Sequence, residues 1–70
     1  MELVNRNAPQ NVLDKAKQHL NLFKEKVLIP HKLYRTKYLV IYVNKSWRLL
    51  SKDKGENWIL MIYHEFDRHI

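Results

Sequence analysis

The chain contains no cysteine, one glycine and two prolines in 70 residues. Without cysteine there is no disulfide or thiolate metal site to reinforce the fold, and such a composition suits a reducing compartment. The scarcity of glycine and proline, beside an apolar fraction of 46%, excludes a disordered or low-complexity chain. No apolar run approaches the roughly 20 residues of a membrane span. The opening residues Met1-Glu2-Leu3-Val4-Asn5-Arg6 carry no signal-peptide core. A cytoplasmic, soluble protein without membrane association is expected. Gly-rich phosphate loops and the motifs of serine or cysteine nucleophiles are missing as well. His31, His64 and Glu65 do not follow a metal-ligand spacing. Neither a metal nor another cofactor is expected.

What the chain does have is positive charge. Thirteen Lys and Arg stand against seven Asp and Glu, a formal net charge of +6. An excess of this size on a small chain favours polyanionic partners, either nucleic acid or an acidic protein surface, although solubility alone also accounts for it. The length allows one domain, residues 1–70. A core of that size removes only about 60% of the unfolded surface from water.

The first element is a helix over roughly Ala8 to Lys26, with Asn7 as its cap and Pro9 in its first turn. Val12, Ala16, Leu20, Phe23 and Val27 recur at steps of three and four and form its apolar stripe, widened by Leu13. Lys15, Lys17, Gln18, Lys24 and Glu25 fall outside the stripe, and His19 lies beside it without a role. Pro30 should force the preceding residues out of the helix. The segment 31–37 alternates basic and apolar residues and reads as a connector or the start of a strand.

Three strands follow in the pattern of an antiparallel meander: Tyr38–Val43, Ser46–Ser51 and Trp58–His64. A two-residue Asn44-Lys45 turn would place Ile41 opposite Arg48. A three-residue Asp53-Lys54-Gly55 loop, with Gly55 left-handed, would place Arg48 opposite Leu60. Arg48, Leu60, Ile62 and His64 would then share one face. A two- or four-residue loop would instead put Arg48 with Ile59, Met61 and Tyr63. The fold class expected is α+β, with one helix packed on a three-stranded meander. A single helix covers one sheet face, so the other is expected to serve as a ligand site, partner surface or dimer contact.

The order of Leu22-Phe23, Pro30-His31, Trp47-Arg48-Leu49-Leu50 and His64-Glu65-Phe66-Asp67-Arg68-His69-Ile70 resembles the ParE/RelE toxin superfamily, and most nearly the compact ParE-like toxins of type II toxin–antitoxin systems. The resemblance spans residues from about 8 to 70. It implies a reduced version of that fold, because members usually begin with an extra strand and helix and only a short segment precedes the helix here. A smaller sheet, or one whose edge another chain completes, is therefore expected, and a homodimer through the open face or edge would follow from it. Phe66 stands where members carry a tyrosine.

The resemblance implies a toxin-type effector, either an mRNA endoribonuclease tied to translation or a non-catalytic module that binds an antitoxin, DNA gyrase or another host enzyme. In the ribonuclease branch a 2′-OH attacks phosphorus and a 5′-oxygen leaves, which calls for a base, an acid and cations for the charged phosphorane. Arg48 matches the phosphate-binding arginine of that branch, and His64 matches its C-terminal histidine, an imidazole that titrates near neutral pH. His31, Lys32, Arg35, Lys37 and Lys45 are candidates to hold flanking nucleic acid on RNA or the ribosome. Tyr63, Tyr42 and Trp47 are candidates to stack a base. Structural roles compete with these: Arg48 can pair with Glu65 or Asp67, and His64 can be a strand-end residue bonded to backbone.

Overall fold

The computed structural model describes residues 2–70. Its elements run β1 (Glu2–Asn5), α1 (Gln10–Lys24), β2 (His31–Lys32), β3 (Leu39–Tyr42), β4 (Trp47–Ser51), β5 (Asn57–Ile62) and α2 (Tyr63–Phe66), followed by a 3-10 turn over Asp67–His69. The class is α+β, but the sheet has five strands in the order β1-β5-β4-β3-β2, with β1 parallel to β5. The three-stranded meander is thus the centre of a wider mixed sheet. The short N-terminal segment, which was not expected to form a strand, pairs Leu3 with Trp58 and Val4 with Ile59. The sheet is thus wider than the reduced one expected, and β1 occupies the β5 edge that was otherwise expected to be left to another chain.

Helix α1 starts later than the sequence suggests. Asn7 is left-handed, with φ of 68°, and does not cap. Pro9 occupies the N-cap position without a side-chain bond, and its carbonyl accepts from the Val12 and Leu13 amides. The Asn5 side chain shapes the entry by accepting from the Ala8 amide (2.9 Å) and donating to the Ala8 carbonyl (3.2 Å). At the other end Lys26, with φ of 62°, closes a Schellman motif in which the Val27 amide donates to Leu22 and the Lys26 amide to Phe23. That cap stops the helix before Pro30 can act, and it leaves Val27 beyond the stripe and exposed.

Val12, Ala16 and Leu20 of α1 pack on Ile41, Val43, Leu49, Trp58 and Leu60 to form the main core. Both hairpin loops are one residue longer than expected. The Asn44-Lys45-Ser46 loop is held by Asn44 Oδ1, which accepts from the Ser46 and Trp47 amides. The second loop has four residues, Asp53–Glu56, because Asp53 accepts from the Asn57 amide and side chain and from the Ser51 hydroxyl. These bonds hold the Asp53 carboxyl below the usual carboxylate range, the Asn57 amide contributing most and the Ser51 hydroxyl next. Each extra residue slips the register by one. Tyr42 therefore faces Arg48 and Arg48 faces Met61, in place of Ile41 and Leu60.

The slip puts Arg48 on the face away from α1, together with Val40, Leu50, Ile59 and Met61. That face is not open. Phe66 of α2, with Leu33 and Tyr38 of the connector, packs on Val40, Leu50 and Met61 to form a second core. The open second face expected from the sequence is instead covered by a layer that the chain supplies itself.

Candidate functional site

Strand β5 ends at Ile62, and the Tyr63 amide donates to the Ser46 carbonyl (2.8 Å) before the backbone turns into α2. His64 therefore lies on a helical turn and not at the end of a strand. Its ring stacks on that of Tyr63, with centroids 4.0 Å apart and a tilt of 32°. His64 is exposed and lines an open cavity of about 470 Å³ with Arg6, Ile62, Glu65, Arg68 and His69. Two guanidinium groups and two imidazoles meet there beside one carboxylate. Arg6 is paired with Glu65, so the carboxylate expected near Arg48 is engaged elsewhere. Lys52 Nζ donates to His69 Nδ1 (2.9 Å), an arrangement in which the neutral ring carries its proton on Nε2.

Arg48 is outside this cavity. Its Nη1 donates to the carbonyls of Asn44 (2.6 Å), Lys45 (3.1 Å) and Trp47 (3.3 Å). Its Cζ sits 4.7 Å from the centre of the Tyr42 ring. The guanidinium thereby fastens the 44–46 loop to the sheet and keeps a permanent charge over an aromatic face. Among the described residues no hydrogen bond or ring contact joins Arg48 to His64.

The basic candidates divide into two regions. Lys32 on β2 and Lys37, which is left-handed with φ of 66°, share a groove of about 490 Å³ with Leu39 and Lys54 at the opposite end of the sheet from the His64 cavity. Lys37 Nζ also lies 5.4 Å from the Tyr34 ring. Arg35 is exposed in the turn between β2 and β3. Lys45 is exposed in the 44–46 loop, and its carbonyl is one of the three that hold Arg48. His31 is exposed on the edge strand, its ring 6.5 Å from that of Tyr42. His19, given no role, has Nδ1 2.9 Å from the Lys15 carbonyl one turn back.

Arg6, Arg68 and His69 are not among the site residues expected from the sequence, where Arg68 and His69 enter only as part of the closing motif. Arg6 reaches the cavity only because β1 pairs with β5, an association between segments far apart in sequence. Arg68 and His69 follow His64 closely, and the helical turn at α2 that gathers them had no signal in a stretch that reads as a strand. Among the described residues no group of three or more His, Asp or Glu is placed to hold a metal ion, and no helix is long and apolar enough to cross a membrane.

No curated protein and no solved structure matches the chain at a significant level. A scan of protein families matches the ParE-like toxin domain over residues 10–67, a span that takes in Arg48 and His64 and leaves out Arg6, Arg68 and His69. The chain accordingly belongs to the ParE-like toxin domain family, and its function is of the toxin type.

Proposed function

We propose that this toxin acts on RNA in the cytoplasm, as an endoribonuclease whose cleavage is tied to translation and whose site is the cavity beside α2. The observation that carries the reading is the exposed His64 imidazole, set among Arg6, Arg68 and His69 in one open cavity. A 2′-OH that attacks the adjacent phosphorus needs its proton removed, and His64 is the group suited to take it. Arg68, the cavity guanidinium that Glu65 does not engage, is suited to stabilise the charge that develops on the phosphorane oxygens. The 5′-oxygen leaves as the bond from phosphorus to that oxygen breaks, and it takes its proton from water or from the imidazolium that His64 has become. Arg48 holds the flanking strand and not the scissile phosphate, because its Nη1 is already bound to the loop carbonyls. An antitoxin is the partner that family membership suggests.

A second reading has its own support. With Arg6 neutralised by Glu65 and Arg48 fastened to its loop, the chain also fits a non-catalytic module that grips DNA gyrase, an antitoxin or another host enzyme. The test is induction of the wild type, His64→Ala and Arg68→Ala in bacteria, followed by sequencing of RNA ends. New RNA ends with the wild type and none with His64→Ala are expected. Equal growth arrest by all three without new ends, together with inhibition of gyrase supercoiling by the purified protein, would overturn the ribonuclease reading in favour of the second.

A further inference from the structure

The rings of His31 and Tyr42 lie beside each other at the β2–β3 edge of the sheet. Their centroids are 6.5 Å apart and their planes are inclined at 37°. Stacked bases lie about 3.4 Å from each other, so a planar base held between two rings needs them roughly 7 Å apart. Levelling the two rings and parting them by roughly 0.5 Å would bring the pair to the spacing that holds one base. Both rings are accessible. His31 is exposed, and Tyr42 keeps 53% of its surface in contact with solvent, high for a tyrosine in a strand whose neighbours Val40 and Ile41 are buried.

The slot is also charged and braced. Arg48 Cζ lies 4.7 Å from the Tyr42 ring centre, and bonds from Nη1 to the Asn44 and Lys45 carbonyls of the loop and the Trp47 carbonyl of β4 fix the guanidinium there. Arginine stays ionised at any physiological pH. A single-stranded nucleic acid binds best where aromatic faces and fixed cations alternate, because the base stacks while its phosphate is neutralised. Lys45, in the loop that Arg48 fastens, extends the positive charge along the same side.

We propose that His31 and Tyr42 clamp one unpaired nucleobase of the RNA, with Arg48 as the cation beside it. The inference rests on the RNA reading of the toxin and adds to it a second contact point, separate from the His64 cavity. The selection is for a planar, unpaired base and not for a particular sequence, since every base offers a π-face. Arg48 is then a positioning residue: it aligns Tyr42 and the loop, and it does not touch the reacting atoms.

The experiment uses the full chain and a short single-stranded RNA that is 2′-O-methylated throughout, so that it cannot be cleaved, with 2-aminopurine as the reporter base. Binding by the wild type should quench the reporter as it stacks. Tyr42→Phe should keep both quenching and affinity. Tyr42→Ala, at a largely exposed position where an unchanged circular dichroism melt verifies folding, should abolish quenching and weaken binding roughly tenfold, as expected for loss of a base–aromatic stack. His31→Ala should lose part of each. Quenching by Tyr42→Ala equal to that of the wild type, binding by the wild type without quenching, or no binding at all would each overturn the clamp. RNA ends from induced cells separate the two ideas. Cleavage without stacking leaves the ribonuclease reading intact and removes the clamp, whereas stacking without cleavage does the reverse.

Discussion

Gly55→Ala is the substitution whose consequence the structure fixes most tightly. Gly55 has φ of +94°, and a Cβ built on it would lie 2.7 Å from Phe23 Cζ and 3.1 Å from Phe23 Cε2. The left-handed backbone alone costs an alanine about 1–2 kcal/mol. The methyl must also displace the Phe23 ring, which packs edge-on against the fully buried Trp58 with centroids 5.3 Å apart and planes at 77°. Overpacking of this kind costs about 1–3 kcal/mol. Together the two effects amount to roughly 2–5 kcal/mol, against a total stability on the order of 4–10 kcal/mol for a chain of this length. Urea unfolding followed by tryptophan fluorescence should show the midpoint falling by about 2 M or more, given a slope near 1 kcal/mol per molar. Repeating the substitution in a Phe23→Ala background separates the two causes, because only the backbone cost should remain. A midpoint shift below about 0.5 M, or an equal cost in both backgrounds, would refute the clash as the mechanism.

Asp53 ties stability to pH. Its carboxyl is held below the ordinary value, so the stabilisation is complete above the unfolded carboxylate value and is lost as pH falls through the lower folded value. Asp53→Asn should therefore flatten the acid limb of stability below about pH 4, and an unchanged slope in acid unfolding would contradict the Ser51–Asp53–Asn57 network as its source. Arg48→Ala should cost about 1–2 kcal/mol through the loss of charged hydrogen bonds to the loop carbonyls and of the Tyr42 contact. Arg48→Lys should recover less than half of that in thermal unfolding, because an ammonium cannot span the same carbonyls.

The sequence made some parts of this fold plain and hid others, and the division has a physical basis. Val12, Ala16 and Leu20 announce their helix face because the 3.6-residue period is intrinsic to the backbone. The strands around Val40, Leu49 and Leu60 are equally clear from their β-branched and aliphatic runs. Register depends instead on one residue per loop. Asn44 and Asp53 each use a short side chain to capture amides beyond the turn, and no general turn preference encodes that choice. One residue was enough to send Arg48 to the face opposite α1. His64 belongs to a run, Trp58–His64, that reads as one uninterrupted strand, so its transfer to a helical turn left no trace in the pattern. Strand β1 escaped notice for another reason. Four residues with two apolar members form a strand only because β5 offers a free edge, which is a property of the finished sheet and not of the segment.

The parallel pairing of β1 with β5 also sets an order in time. Glu2 is matched to Asn57 and Asn5 to Leu60, so β1 cannot dock until β5, far later in the chain, has been made and has joined its hairpin. Contacts across such sequence separations form late, after the local hairpins and the helix have condensed. The cavity that joins Arg6 to His64, Arg68 and His69 has the same dependence. The constellation is therefore absent from a chain in which β5 and α2 have not yet emerged to meet β1, and it forms only with the last long-range contacts of the sheet.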